Sequence, residues 1–142
     1  MTAPDLPRAQ GPRAVRVLVA EDDQEFRDLL ARTLRGAGYE VVETASGVGF
    51  LDAFADALLR DDDLDSVCDL IVTDVRMPGF SGLSILDGLR SLGCATPAIV
   101  VTAFGDDTTR RAAERVGAVL IDKPFELDDL CAVIETRLKS VN

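Results

Sequence analysis

The chain contains no histidine. That excludes Ser-His-Asp and Cys-His nucleophilic catalysis and any histidine-ligated metal. Its cysteines, Cys68, Cys94 and Cys131, are odd in number, widely spaced and free of any C-x-x-C pair, so neither a disulfide framework nor a zinc site is indicated; they read as small packing residues. No uncharged run approaches the length of a membrane-spanning helix, and residues 1–13, with three prolines, lack the apolar core of a signal peptide. A cytoplasmic protein with a disordered N-terminal tail over residues 1–13 and one domain over residues 14–140 is the expectation. Positive charge is also scarce: 15 Lys and Arg face 25 Asp and Glu, a net charge of −10. With no basic stripe to neutralise phosphates, direct binding to nucleic acid or an anionic membrane is not expected, and cationic partners and metal ions are favoured.

What is present is an ordinary globular composition, 47% hydrophobic and 28% charged over 142 residues, enough for one well-filled core. Short β-rich runs alternate with helical periodicity. Residues 15–20 (VRVLVA) read as a first strand that stops at an acidic cluster. Phe26, Leu29, Leu30, Thr33 and Leu34 recur at helical spacing before Gly36 and Gly38, and residues 39–43 form a second strand. Phe50, Leu51, Phe54 and Leu58 mark a second helix, followed by a solvated acidic loop over residues 61–65 and a third strand over 70–73. Gly82, Ile85, Leu86 and Leu89 line a third helix, and residues 98–101 form a fourth strand. A fourth helix over 107–116 is poor in large apolar residues. A fifth strand over 119–121 leads to a last helix striped by Leu127, Leu130, Cys131, Ile134 and Leu138. Strict alternation argues for right-handed βαβ units around a parallel sheet, a doubly wound α/β fold without repeats or a second domain.

In such sheets ligands gather beyond the C-terminal strand ends. Glu21, Asp22 and Asp23 follow the first strand, Asp74 the third, Thr102 the fourth, and Lys123-Pro124 the fifth. Carboxylates crowded together repel one another unless a cation joins them, and hard divalent ions prefer oxygen; Mg²⁺ is the natural guest. A lysine and a hydroxyl beside a metal-bound carboxylate supply what a transferred phosphoryl group needs. Two other readings fail on spacing. The acidic run has Ser66 and Val72 where a calcium loop needs its glycine and its bidentate glutamate. Gly47-Val48-Gly49 is too little for a dinucleotide fingerprint.

LVAEDD at 18–23, IVTDVRMPG at 71–79, VVTA at 100–103 and DKPF at 122–125 come in order, each at a strand end. In these the chain resembles the response-regulator receiver domains over residues 15–138. The resemblance implies a flavodoxin-like five-stranded sheet, order 2-1-3-4-5, with five helices. It implies Asp74 as phosphoacceptor and metal ligand, Asp22 as a direct Mg²⁺ ligand, Glu21 acting mainly through water, and the backbone carbonyl of Arg76 completing the metal site. Thr102 would bind the phosphoryl group and act as a switch residue, and Lys123 would pair with Asp74 or with a phosphoryl oxygen and precede a cis bond to Pro124, while Asp23 reads as a helix N-cap. The implied donor is a histidine kinase or phosphotransfer protein. The expected readout is a protein target on the fourth helix, fifth strand and fifth helix, and a phosphorylation-dependent dimer is a further expectation. No enzymatic activity beyond the domain's own phosphorylation and dephosphorylation is expected. Three positions depart from the family pattern: Leu120 stands where an aromatic switch residue is usual, and Arg76 and Phe104 are bulky at sites that tune dephosphorylation. A phosphorylation-independent interaction module would be expected to lack an acidic ligand, Asp74 or Lys123, and none is missing. An aspartyl phosphatase would want an acid where Arg76 stands.

Overall fold

A strand whose side chains are apolar on both faces can be stable only if both faces are covered. The computed structural model describes residues 14–103 and 105–141 and meets that demand with a single parallel sheet between two helical layers. Its strands are β1 (Arg16–Ala20), β2 (Glu40–Thr44), β3 (Leu70–Asp74), β4 (Ala98–Thr102) and β5 (Val119–Asp122). Its helices are α1 (Gln24–Gly36), α2 (Gly47–Leu59), α3 (Gly82–Ser91), α4 (Asp107–Arg115) and α5 (Leu127–Val141). The order is β2-β1-β3-β4-β5, all pairs parallel, with Leu18 opposite Ile71 and Asp74 opposite Val101.

β3 and β4 are buried at every residue, whereas the edge strands β2 and β5 are not. Period-two alternation divides the core. Val17, Val19, Val72, Ile99 and Val101 pack with Leu30, Leu34, Leu130 and Ile134 of α1 and α5. Leu18, Ala20, Ile71 and Val100 pack with Phe50, Phe54, Ile85 and Leu86 of α2 and α3, and with Val116 at the end of α4. Each fully buried side chain of this size contributes about 1.5–3 kcal/mol. Asp23, Ser46, Ser81 and Asp106 cap the first four helices, each accepting from backbone N–H groups one turn ahead.

The expected elements are all present, with several local differences. The strands after the first run one residue further than expected, to Thr44, Asp74, Thr102 and Asp122, so the polar site residues are themselves paired into the sheet. Leu29 and Leu58, which mark the first two helices by their spacing, are exposed. The acidic loop is partly organised. A 3-10 turn over Leu64–Ser66 buries Leu64, and the Asp65 carboxylate accepts from Ala95 N at 2.7 Å and from Thr96 Oγ1 at 3.1 Å. Cys68 and Cys94 lie in the core as expected, and burial pushes the Cys68 thiol up to about 12. The expected N-terminal tail, residues 1–13, lies outside the described residues.

Candidate functional site

The C-terminal ends of β1, β3, β4 and β5 come together at one edge of the sheet. Glu21 extends β1: its N–H donates to Thr44 O at 3.0 Å, and its side chain is only 2% exposed. The turn beyond it is held from both sides. Asp23 N donates to Glu21 Oε2 at 3.1 Å while the Asp23 side chain caps α1, and Arg27 Nη1 donates to Glu21 O at 2.8 Å. Asp74, the last residue of β3, is 7% exposed. The Arg76 N–H donates to Asp74 Oδ1 at 3.1 Å, and Lys123 Nζ donates to Oδ2 at 2.9 Å. Together they fix the plane of the carboxylate. Lys123 Nζ also reaches Glu21 Oε1 at 3.2 Å and lies 5.5 Å from the centre of the Phe26 ring. The Lys123–Pro124 bond is cis, and Lys123 N donates to Thr102 O at 2.7 Å, locking the β5 end onto the β4 end.

Three carboxylates, Glu21, Asp22 and Asp74, share this edge with one lysine, and an oxygen of each lies within 4.8 Å of the others. With all four groups ionised the cluster carries a charge of −2, which a divalent cation would neutralise. Crowding is visible in the protonation of Glu21, pushed up to about 7 by burial and by the Asp74 charge, with the Asp23 N–H and Lys123 working the other way. Burial works against the Lys123 charge, but the hydrogen bond and attraction to Asp74, then Glu21, outweigh it and hold the ammonium above its ordinary range. The donor set fits Mg²⁺. Ligand oxygens on opposite sides of this ion, each at about 2.0–2.1 Å, stand about 4 Å apart, so the three carboxylates need only small side-chain adjustments to meet on one ion.

The structure therefore brings Glu21, Asp22, Asp74 and Lys123 together, with Asp22 exposed toward solvent. Thr102 is buried at the end of β4. Arg76 contributes its N–H to Asp74, and its exposed guanidinium is near enough to Asp106 to help hold that carboxylate low, after the hydrogen bonds from Thr109. Leu120 is half-buried and packs on the α2–α3 side of the sheet. Phe104 lies outside the described residues. Sequence reasoning missed Arg27, which braces the acidic turn and sits 3.6 Å from Glu43, and Phe26, whose ring meets Phe125 edge-on at 5.7 Å beneath the lysine loop. A helical arginine and a helical phenylalanine carry no local signal of such roles.

The fold and sequence recur in known proteins. The model of the response regulator receiver domain matches residues 17–135. The transcriptional regulatory protein FixJ of Azorhizobium caulinodans is 37% identical over 128 residues, covering 89% of this chain and 56% of that protein. The response regulator MprA of a Mycobacterium species is 36% identical over 126 residues, 88% of this chain and 51% of that one. The chain thus spans about half the length of these curated relatives. Among solved structures, the receiver domain of the Francisella response regulator 1452 superposes with a TM-score of 0.75 at 25% identity, covering 90% of this chain and 99% of that one. With the sheet order, the acidic cluster at the strand ends and the lysine that bridges it in place, and with the family model matching most of its length, the chain belongs to the response regulator receiver domain family.

Proposed function

We propose that this domain is a phosphorylation-controlled interaction module in which Asp74 accepts a phosphoryl group from a histidine kinase or a phosphotransfer protein. The observation that carries the reading is the Asp74 carboxylate itself, buried, gripped through both oxygens and adjacent to Glu21 and Asp22. Asp22 and Asp74 would ligate Mg²⁺ directly, Glu21 through water, with the Arg76 carbonyl completing the set. The ion would neutralise charge on the phosphoryl oxygens during transfer. In the transfer a carboxylate oxygen of Asp74 bonds to phosphorus as the bond from phosphorus to the donor's nitrogen or oxygen breaks. Lys123 and Thr102 then hold the transferred oxygens. Incubation with acetyl phosphate and Mg²⁺ is expected to add the mass of one phosphoryl group, and Asp74→Asn to abolish the addition. An equal gain in the variant would refute the assignment. Decay of the adduct, followed in the same assay, tests Arg76 as a residue that retards hydrolysis by holding a phosphoryl oxygen and filling the water's approach; of Phe104 only the exclusion of water by bulk is expected. Arg76→Ala should shorten the lifetime about tenfold, the effect of about 1.4 kcal/mol in barrier, and an unchanged rate would remove that role.

The readout is assigned to α4, β5 and α5. α4 buries only Ala113 and is tied to β5 by the exposed Arg110–Asp122 ion pair, so it is attached weakly enough to respond. A hydrogen bond from Thr102 to the phosphoryl group, about 1.5–3 kcal/mol, suffices to shift a poised two-state element. Leu120 has no ring to rotate, so the change should fall on α4 and its preceding loop more than on β5. Amide exchange with and without beryllofluoride, a phosphoryl mimic, reads this directly, and changes confined to β5 would contradict it.

A further inference from the structure

Exposed apolar side chains are unevenly distributed on this domain. Of seven large hydrophobic residues exposed among the described residues, five are on α2, on α3 and its cap, or in the loop entering α3: Val48, Leu58, Leu59, Phe80 and Leu92, the last 61% exposed. Between the two helices runs an open groove of about 210 Å³, floored by Ile85 and Leu89 and walled by Leu51, Leu58, Phe80 and Leu92. Gly88 leaves the α3 side open, since a Cβ there would meet nothing within 4 Å. The mouth is held in shape. Gly47 N donates to Pro78 O at 3.0 Å, and a Cβ on Gly47 would lie 2.5 Å from the Phe80 backbone, so the start of α2 is pressed against the chain that carries Phe80.

The rim is acidic. From residue 44 to residue 75 there are eight aspartates and one cation, Arg60. Asp52 is exposed along α2, and Asp61 and Asp63 are exposed just past its end; Asp56 and Asp62 belong to a separate hollow with Arg16 on the strand side of α2, and Asp87 to one with Arg115 on the α4 side of α3. Arg60, the one cation of this stretch, stands at the C-cap of α2 and is outnumbered there by the aspartates that follow it. Arg90, the one arginine of α3, donates instead to Val116 O and Cys94 O, on the flank facing α4. A second copy of the chain is a poor occupant, because a twofold contact would set one acidic rim against another at a net charge of −10 each.

We propose that the α2–α3 groove is a docking site for a basic amphipathic helix of a partner protein, its leucine-like stripe entering between Leu58, Phe80 and Leu92 and its Lys or Arg residues facing Asp52, Asp61 and Asp63. The apolar floor supplies the affinity and the acidic rim the orientation and choice of partner. This surface is separate from α4, β5 and α5 and does not depend on phosphorylation of Asp74.

The test uses the full chain, unphosphorylated, and three fluorescein-labelled synthetic peptides of about five helical turns. One carries a leucine stripe on a lysine background, one the same stripe on a glutamate background, and one the lysine composition scrambled to remove the stripe. The striped lysine peptide is expected to bind about tenfold or more tightly than either control. Leu58→Glu with Leu92→Glu, or Asp52→Asn with Asp61→Asn and Asp63→Asn, should each weaken it about tenfold. Both leucines are exposed, so folding should survive, as circular dichroism would check. On the unaltered chain, amide NMR shifts on adding the peptide should fall within residues 47–63 and 80–93. Equal binding of the scrambled peptide, equal or tighter binding of the glutamate peptide, undiminished binding by folded variants, or shifts clustered elsewhere would overturn the proposal.

Discussion

Two glycines six residues apart in α3 should respond to alanine with opposite signs. Gly82 opens the helix and is buried against the end of β3, where a Cβ would run into the backbone carbonyl of Asp74, would lie 2.5 Å from Thr73 Oγ1 and 3.0 Å from Thr73 Cγ2. These atoms have little room to yield. The Thr73 hydroxyl donates to Asp74 O at 2.9 Å, and Gly82 N donates to Val75 O at 3.1 Å. Restoring an ordinary contact requires α3 to retreat by about 1 Å from the strand end that presents Asp74. Overpacking of this kind costs about 1–3 kcal/mol, and the helix propensity returned by alanine, under about 1 kcal/mol and least in the first turn, does not offset it. For a chain of this length each kcal/mol corresponds to about 3 °C in Tm, so Gly82→Ala should melt about 3–10 °C below the parent. Gly88 has open space where a Cβ would go, in the interior of the same helix. Gly88→Ala should therefore raise Tm by about 2–3 °C, through about 0.5–1 kcal/mol of backbone entropy. Thermal unfolding by circular dichroism of the three proteins is the assay. If both variants shift in the same direction by similar amounts, packing against Asp74 is not what requires glycine at position 82.

Mg²⁺ affinity should fall at least tenfold in Asp22→Ala, since the remaining carboxylates offer too little charge for the ion to give up water; calorimetric titration measures it, and an unchanged affinity would place the metal elsewhere. Asp65 should make stability depend on pH. Burial works against its charge, but the hydrogen bonds from Ala95 and Thr96 win and hold its carboxyl below the ordinary value. A carboxyl lowered on folding stabilises the fold at pH values above its unfolded pKa of about 3.9 and loses that contribution as pH falls through the folded value. Asp65→Ala should thus cost on the order of 1 kcal/mol near pH 7, allowing for its exposure. In urea titrations the gap should narrow below about pH 4, and a gap that widens with acid would contradict the assignment.

The strands and the site edge could be read from sequence because both are set by residue type at fixed positions. Valine and isoleucine runs need covering on both faces, and polar groups directly after such runs must stand at the sheet edge. The strand ends ran longer than expected because backbone pairing continues under a polar side chain: Asp74 lies opposite Val101, and Thr102 opposite Asp122. Helical periodicity marked Leu29 and Leu58 as apolar, yet whether a stripe is covered depends on how far the next helix reaches, which no local pattern records. The aspartates make the point most sharply. In sequence Asp23, Asp65 and Asp74 are alike, each beside other acids or at a run's end. In the fold Asp23 caps a helix, Asp65 bonds the loop before β4, Asp74 is gripped by Lys123, and Asp61, Asp62 and Asp63 are exposed. Only the role of Asp74 required a partner 49 residues away, and that role was legible because the lysine announces itself in a second motif. The bond from Asp65 to the loop before β4 had no such companion, since a backbone N–H, which almost every residue has, leaves no mark in a sequence.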